Sequence, residues 1–148
     1  LLEGKKVIRY TDARDTWESA NEAQRDALSK RLAEADAIII NCFGLLSSIY
    51  RYGKVAYVGG GFGVGIHNVL EAAVWGMPVI FGPNHERFQE AVALIAEGGG
   101  FSICDTHDFE IFMRKFSSDP KALAEASRKA GEYVKSQSGA TDAVMRVV

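Results

Sequence analysis

The residues best suited to chemistry form a glycine-rich segment near the middle of the chain, followed at once by polar side chains. Five of the fifteen glycines lie between Gly59 and Gly65, and His67, Asn68 and Glu71 come next. Clustered glycines permit positive φ angles and let a ligand approach the backbone without meeting a Cβ. A helix that begins directly after them adds unpaired N–H groups and a partial positive charge. The segment therefore predicts a binding site for a phosphate or a carboxylate.

A tight strand-to-helix turn without a ligand is the alternative interpretation of this segment. Two or three glycines suffice for such a turn, whereas five in seven residues cost conformational entropy that a turn does not require. The Walker pattern is excluded, because no Gly-Lys-Ser/Thr follows the glycines. The dinucleotide pattern G-x-G-x-x-G fails as well, because the sixth position counted from Gly61 is Ile66.

The polar residues after the glycines share one face of a helix predicted over His67 to Trp75. Asn68 and Glu71 are three residues apart, and His67 and Glu71 are four apart, which makes each pair neighbours on a helix. A carboxylate at Glu71 can accept hydrogen bonds from two vicinal hydroxyls, as ribose recognition requires. Taken singly, Asn68 also fits a helix cap, and Glu71 fits an acid that complements the helix dipole.

Strand-like and helix-like segments alternate along the chain, which is typical of βαβ units and a parallel sheet. Around Thr11 to Asp15, residues with turn and cap chemistry predict a turn. The predicted strands are Lys5–Tyr10, Ala37–Cys42 (buried on both faces), Val55–Val58, Pro78–Phe81 and Phe101–Ile103. The predicted helices are Ser19–Ala35, Leu45–Tyr52, His67–Trp75, Glu86–Glu97, Thr106–Phe116 and Lys121–Lys135, with a last helical segment at Thr141–Val148.

Length and composition predict one globular α/β domain. The chain has 148 residues, of which 47% are apolar, and this excludes disorder. A net charge of −2 gives no basic footprint for nucleic acid. Two cysteines form neither a disulfide framework nor a four-cysteine zinc site. Because no apolar run approaches the ~18–20 residues of a membrane span, we expect no transmembrane segment in this chain. Residues from about 121 to 148 are expected to form a C-terminal helical arm.

The stretch from Val55 to Ile103 resembles the donor-nucleotide half of the 3-deoxy-D-manno-octulosonic acid (Kdo) transferases. The resemblance is clear from about Ala37 to the end of the chain and extends more weakly to Lys5. The family motif is a Gly-Gly pair after a strand, then Gly-Gly-His-Asn-x-x-Glu, and then Gly-x-Pro-Val-x-x-Gly-Pro. This chain departs from the family at Ile66, where Gly is usual, and at Leu45, where Glu is usual. The matching residues are Gly59-Gly60-Gly61, Gly65-Ile66-His67-Asn68-Val69-Leu70-Glu71 and Gly76-Met77-Pro78-Val79-Ile80-Phe81-Gly82-Pro83.

The resemblance implies a fold, a donor and a set of site residues. The fold is a Rossmann-like parallel sheet with flanking helices, the C-terminal half of a GT-B glycosyltransferase. The donor is CMP-Kdo, whose ribose is held by Glu71. The phosphate lies over Gly60, Gly61, Gly65 and the N–H groups of His67 and Asn68, and the cytosine base lies against Phe43, Gly44 and Leu45.

The resemblance also implies a reaction in which this chain takes only part. Kdo passes to a lipid A precursor at the cytoplasmic face of the bacterial inner membrane, during lipopolysaccharide biosynthesis. The general base belongs to an N-terminal acceptor domain outside this chain, so we expect no catalytic residue here and no activity from the soluble fragment alone. No Asp-x-Asp motif occurs, and we expect neither metal nor cofactor. A sheet edge left exposed by a missing strand predicts a homodimer.

Two other functions stay open at this point. One is a different GT-B glycosyltransferase that uses a UDP-sugar, and the other is a non-catalytic α/β module that binds an anion. His85 follows the predicted strand at Pro78–Phe81, so it either approaches the donor sugar or lies at the surface. Trp17 and Trp75 are predicted to be core or interface residues, with Trp75 facing the sheet.

Overall fold

A computed structural model describes residues 2–137 and confirms the alternation of strands and helices. The strands are β1 (Val7–Arg9), β2 (Ala37–Ile39), β3 (Ala56–Val58), β4 (Val79–Phe81) and β5 (Gly100–Ser102). The helices are α1 (Tyr10–Ser19), α2 (Glu22–Ala33), α3 (Leu46–Ile49), α4 (Leu70–Ala73), α5 (Gln89–Glu97), α6 (Thr106–Ser118) and α7 (Pro120–Gln137), with a 3₁₀ turn at Tyr50–Tyr52. The predicted segment Thr141–Val148 lies outside the described residues.

The chain divides into two compact units, which are described separately. Unit 1 runs to Ser48 and unit 2 begins at Ile49. In unit 1, strands β1 and β2 pair in parallel, with Val7 opposite Ala37. In unit 2, strands β3, β4 and β5 form a parallel sheet in that order. A single nucleotide-sugar-binding domain over residues 1–148 stays a prediction.

Unit 1 contains a helix that the sequence pattern did not predict. The turn expected around Thr11 to Asp15 is wrong, because α1 runs through these residues. The helix expected from Ser19 is also wrong at its start, since the side chain of Asn21 accepts the N–H of Gln24 at 3.0 Å. The side chain of Gln24 in turn accepts the N–H of Asn21 at 2.9 Å. This reciprocal capping box fixes a new helix start at α2.

Strand β2 is far more exposed than its apolar sequence predicts. Ile38 is 50% exposed and Ile39 is 41% exposed, so the expectation of burial on both faces is wrong. Among the described residues, β2 pairs only with β1, and Leu28 is the one buried residue of α1 and α2. A two-stranded sheet with so little helical cover leaves apolar side chains in contact with solvent.

The sheet of unit 2 is buried in the manner expected of a parallel α/β sheet. All three residues of the central strand β4, Val79, Ile80 and Phe81, are fully buried, which confirms the strand predicted there. Residues alternate between the two faces of a strand, so Val79 and Phe81 belong to one cluster of buried side chains and Ile80 to another. Parallel sheets require this cover on both faces.

Helices supply that cover and make unit 2 a three-layer α/β structure. Helices α4 and α5 pack on the face of Val79 and Phe81, through residues such as Ala72 and Leu94. On the other face, α6 packs through Phe116 beside Ile80. Helix α7 contributes to both clusters, with Ala130 in the first and Ala126 in the second. The predicted fold class, a Rossmann-like parallel sheet with flanking helices, is confirmed.

Glycine ends the helix before β5, as the sequence pattern predicts. Gly98 has a φ of +82° and closes α5 in the left-handed conformation, which is favourable for glycine. The N–H of Gly99 then donates to the carbonyl of Leu94 at 2.9 Å. The chain therefore turns back at once into β5, which lies beside β4.

The two tryptophans are not core residues. Trp17 is 44% exposed and Trp75 is 42% exposed. The guanidinium of Arg25 lies 5.3 Å from the ring centre of Trp17, and that of Arg51 lies 4.7 Å from the ring centre of Trp75. The core alternative is wrong for both rings, and their role at an interface stays a prediction. Within residues 2–137, no helix has the length and apolar character to cross a bilayer.

Candidate functional site

The candidate site of unit 2 lies where its three parallel strands end. Strands β3, β4 and β5 run in the same direction, so the loops that follow them share one edge of the sheet. In folds of this kind, ligands bind at that carboxyl edge. The glycine loop (residues 59–65) follows β3, and a second loop (residues 82–88), called the β4 loop below, follows β4.

The glycine loop folds around the carbonyl of Gly60. This oxygen accepts hydrogen bonds from the N–H of Gly63 at 2.9 Å and of Gly65 at 3.3 Å. Gly60 has a φ of +89° and Gly65 a φ of +141°, and residues with a Cβ rarely adopt such angles. A Cβ on Gly60 would also collide with the carbonyl oxygen of Gly65. Both positions therefore require glycine for the shape of the loop itself.

The β4 loop packs against the glycine loop through a backbone contact and through hydrogen bonds from Asn84. A Cβ on Gly61 would come 2.6 Å from the amide nitrogen of Gly82. The backbone N–H of Asn84 donates to the carbonyl of Gly61 at 2.9 Å, and its side-chain amide donates to the carbonyl of Gly63 at 2.7 Å. Asn84 is absent from the predicted site. Its place shortly after β4, at the same sheet edge as the glycine loop, is the sequence feature that could have indicated it.

Loop conformation and close packing thus explain three of the predicted site glycines, Gly60, Gly61 and Gly65. The alternative of a turn without a ligand gains support from this packing, because it needs no anion to account for them. Donors are nevertheless available in the same loop. The N–H groups of Gly60 and Gly61 donate to no other residue within 2–137. Backbone N–H groups that lack a protein partner are suited to bind an anion.

His67 and Asn68 precede helix α4 instead of opening it. The predicted helix start at His67 is wrong, since α4 begins at Leu70. The later start of the helix has a local cause. The side-chain oxygen of Asn68 accepts the N–H of Leu70 at 3.0 Å, and such a bond competes with helical pairing. The N–H of His67 donates to the carbonyl of Gly59 at 3.1 Å, and its contact with phosphate stays a prediction. The imidazole of His67 lies close to Gly60.

Glu71 is half-buried at the first turn of α4 and has a fixed partner. One of its carboxylate oxygens accepts a hydrogen bond from the side-chain amide of Asn68 at 3.1 Å. Burial raises the pKa of Tyr50 above its ordinary value, and the negative charge of Glu71 raises it further. A carboxylate has about four acceptor positions, so the bond to Asn68 orients Glu71 and leaves it able to accept from hydroxyls.

The residues expected at the cytosine base belong to unit 1. Phe43 is completely exposed, and Gly44 has a φ of +85°. The carbonyl of Leu45 accepts the N–H and the hydroxyl of Ser48, at 3.1 and 2.9 Å, and so starts helix α3. Their contact with a base stays a prediction.

His85 lies at the carboxyl edge of the sheet, in the β4 loop. The side chain is half-buried, and its ring centre lies 5.3 Å from that of Phe81 in an edge-on arrangement. Its Nδ1 is 3.3 Å from both the carbonyl of Gly82 and the hydroxyl of Ser102. Approach of His85 to a donor sugar stays a prediction. Within residues 2–137, no three His, Cys, Asp or Glu side chains are grouped to bind a metal.

Comparison with known proteins gives a consistent set of relatives. No family model matches the chain. It is 42% identical over 72 residues to the 3-deoxy-D-manno-octulosonic acid transferase of Aquifex aeolicus, covering 47% of this chain and 20% of that protein. The resemblance to the Kdo transferases is confirmed. The Kdo transferase of Chlamydophila psittaci is 39% identical over 79 residues, covering 51% of this chain and 18% of the relative. The Kdo transferase of Chlamydia pneumoniae is 30% identical over 115 residues, covering 75% of this chain and 26% of that protein.

The chain therefore spans 18 to 26% of the length of these Kdo transferases. Among solved structures, the C-terminal CMP-Kdo binding domain of WaaA from Acinetobacter baumannii has a similar fold. The TM-score is 0.62 at 18% identity, and the alignment covers 90% of this chain and 91% of the other. At this level of identity, the likeness concerns the fold alone.

Proposed function

We propose that this chain is the donor-binding part of a Kdo transferase and that its ligand is CMP-Kdo. The observation that carries the proposal is the identity of 42% to a Kdo transferase, combined with a glycine loop at the carboxyl edge of a parallel sheet. The solved structure with the similar fold is described as a CMP-Kdo binding domain. Composition and fold alone also fit many other α/β proteins.

In the proposed complex, the glycine loop binds the phosphate of CMP. The unpartnered N–H groups of Gly60 and Gly61 donate to phosphate oxygens, and the positive φ of Gly65 helps to set the shape of the loop that carries them. The side chains of His67 and Asn68 lie beside the loop and add polar contacts. These groups stabilise the negative charge that develops on CMP as it leaves.

Glu71 recognises the ribose in this proposal. Its carboxylate, oriented by Asn68, accepts hydrogen bonds from the two ribose hydroxyls. Such charge-assisted bonds are about twice as strong as neutral ones. Phe43, Gly44 and Leu45 are assigned to the cytosine base on the family resemblance.

The proposed reaction transfers Kdo to a hydroxyl of a lipid A precursor. The bond between the anomeric carbon and the phosphate oxygen breaks, a new carbon–oxygen bond forms to the acceptor, and the acceptor proton passes to a base outside this chain. CMP leaves with the electron pair of the broken bond. We place the full enzyme at the cytoplasmic face of the inner membrane. Purified chain incubated with CMP-Kdo and the lipid acceptor should transfer no Kdo; measurable transfer would contradict this division of roles.

We also propose that the chain forms a homodimer through a sheet edge. Within the described residues, β3 pairs only with β4, so its other edge presents backbone donors and acceptors that can pair with a second chain. Tyr57 on this strand is 50% exposed. Sedimentation over a wide concentration range should show a dimer, and a monomer throughout would contradict the proposal.

Thermal unfolding with added nucleotides tests the proposed donor. A ligand present at 100 times its Kd adds about 2.7 kcal/mol of stability, so saturating CMP should raise the Tm of the chain while UDP leaves it unchanged. Protection by UDP alone would favour the glycosyltransferases that use a UDP-sugar. Protection by neither nucleotide would favour a non-catalytic module and contradict the proposal.

A further inference from the structure

Arg87 of the β4 loop presses against the glycine loop. Its guanidinium Nη2 lies 2.6 Å from the position that a Cβ on Gly65 would occupy. The guanidinium thus occupies space that the absence of a Cβ at position 65 leaves open, and a side chain there would require Arg87 to move. The guanidinium carbon of Arg87 also lies 5.3 Å from the ring centre of Phe88, a cation–π contact that restricts its orientation.

The surroundings of Arg87 leave its charge uncompensated. Among the described residues, no carboxylate lies within 4.0 Å of its guanidinium, whereas Arg14, Arg114 and Arg128 each have an acidic partner. Arg87 lines an open cavity of about 510 Å³, and among the described residues Glu86 is the only acidic one in its lining. The complete lining consists of Gly63, Val64, Pro83, Asn84, Glu86 and Arg87.

The chemistry of this arrangement is that of oxyanion recognition. A guanidinium offers planar donors that match the oxygens of a phosphate or a carboxylate. Here it is held next to a loop whose N–H groups at Gly60 and Gly61 have no partner within residues 2–137. Neither feature alone would define a site, but together they place the guanidinium of the β4 loop beside a glycine loop that has free backbone donors.

We propose that Arg87 binds an oxyanion of the donor beside Gly65, either the phosphate or the carboxylate of the sugar. This inference rests on the proposed function, because CMP-Kdo carries both groups. Arg87 determines affinity for the charged donor and acts on no other part of the ligand. Arg87 lies outside the family motif of this sequence. Only the fold brings it to Gly65, which is 22 residues earlier in the chain.

Calorimetric titration of cytidine, CMP and CMP-Kdo into wild type and Arg87→Gln tests the proposal. Loss of a charge-assisted contact should weaken binding of the charged ligand about tenfold, while cytidine binds as before. Arg87→Lys should retain part of the affinity, because it keeps the charge but loses the planar fork. Glu86→Gln should bind the anion as well as wild type or better, since it removes a negative charge from the same cavity.

Arg114→Gln is the matched control, since it changes the net charge equally from an exposed position on α6. It should leave all three affinities unchanged, and the thermal unfolding of both glutamine variants should match wild type. A loss confined to CMP and CMP-Kdo assigns Arg87 to the phosphate, and a loss for CMP-Kdo alone assigns it to the carboxylate. Unchanged binding in Arg87→Gln, or an equal loss for cytidine, overturns the inference while the proposed function stands. Absence of nucleotide binding to wild type overturns both.

Discussion

The backbone of Gly61 lies directly against the backbone of Gly82, so that a Cβ on Gly61 would be 2.6 Å from the Gly82 nitrogen and 2.7 Å from its Cα. This contact joins the loop after β3 to the loop after β4, and Asn84 reinforces it with two hydrogen bonds. The candidate phosphate site is therefore shaped by two neighbouring strands of the sheet, and its rigidity depends on both loops.

Gly61→Ala should destabilise unit 2 and weaken nucleotide binding. The added methyl group meets backbone atoms that cannot move independently, and overpacking of this kind costs about 1–3 kcal/mol. Gly63→Ala is the matched control in the same loop, because its nearest contact would be 3.6 Å away. Urea unfolding of both variants measures the difference. Equal stabilities would show that the two loops separate easily.

Glu71→Ala should abolish the preference of the chain for CMP over its 2′-deoxy analogue. Glu71 is the carboxylate assigned to the ribose, whereas the phosphate has several donors. His67→Ala should therefore lower the affinity for both ligands slightly and keep the preference. Calorimetric titration of the two ligands into wild type and both variants provides the comparison. If Glu71→Ala binds both ligands as wild type does, Glu71 has only a structural role at α4.

Leu94→Ala should lower the free energy of unfolding by about 2–5 kcal/mol, the usual cost of a cavity in a packed core. Leu94 is fully buried on the α5 face of the sheet, and Val92 on the same helix is 46% exposed. Val92→Ala should cost well under half as much. Denaturant unfolding with both variants is the measurement, and similar losses would mean that α5 packs differently.

Stability should fall at alkaline pH because of Tyr50. Burial, aided by the charge of Glu71, raises the pKa of this phenol in the folded state. As pH rises, the unfolded chain therefore loses the proton first, near the ordinary pKa of about 10. The stabilisation is complete below that pH and is lost as pH rises through the folded-state pKa.

Tyr50→Phe should consequently flatten this alkaline decrease. Unfolding free energies between about pH 8 and pH 11 provide the measurement. Tyr52→Phe is the control, because the Tyr52 side chain is 81% exposed. Tyr133, whose pKa is raised by burial and then by Glu90 and Glu97, should contribute to the remaining slope. An unchanged slope in Tyr50→Phe would contradict the prediction.

Features that depend on neighbouring residues could be predicted from the sequence. The apolar run at β4, the glycine that ends α5 at Gly98 and the position of the glycine loop after β3 all follow from local chemistry. The same holds for the order of strands and helices in unit 2, because hydrophobic periodicity and helix-ending residues act over a few positions. The order of motifs also sufficed for the resemblance to Kdo transferases, which the comparisons confirm.

Features that depend on distant residues or on competition between side chains required the tertiary structure. Asn68 takes the N–H of Leu70 and delays the helix expected at His67, since a side-chain acceptor can replace a helical one. Asn84 and Arg87 reach the glycine loop across more than twenty residues. No local pattern encodes such contacts, because they arise only when β3 and β4 pair. The sequence by itself thus determined most of the elements and the family resemblance, whereas the packing of two loops at one sheet edge decided which groups lie together at the candidate site.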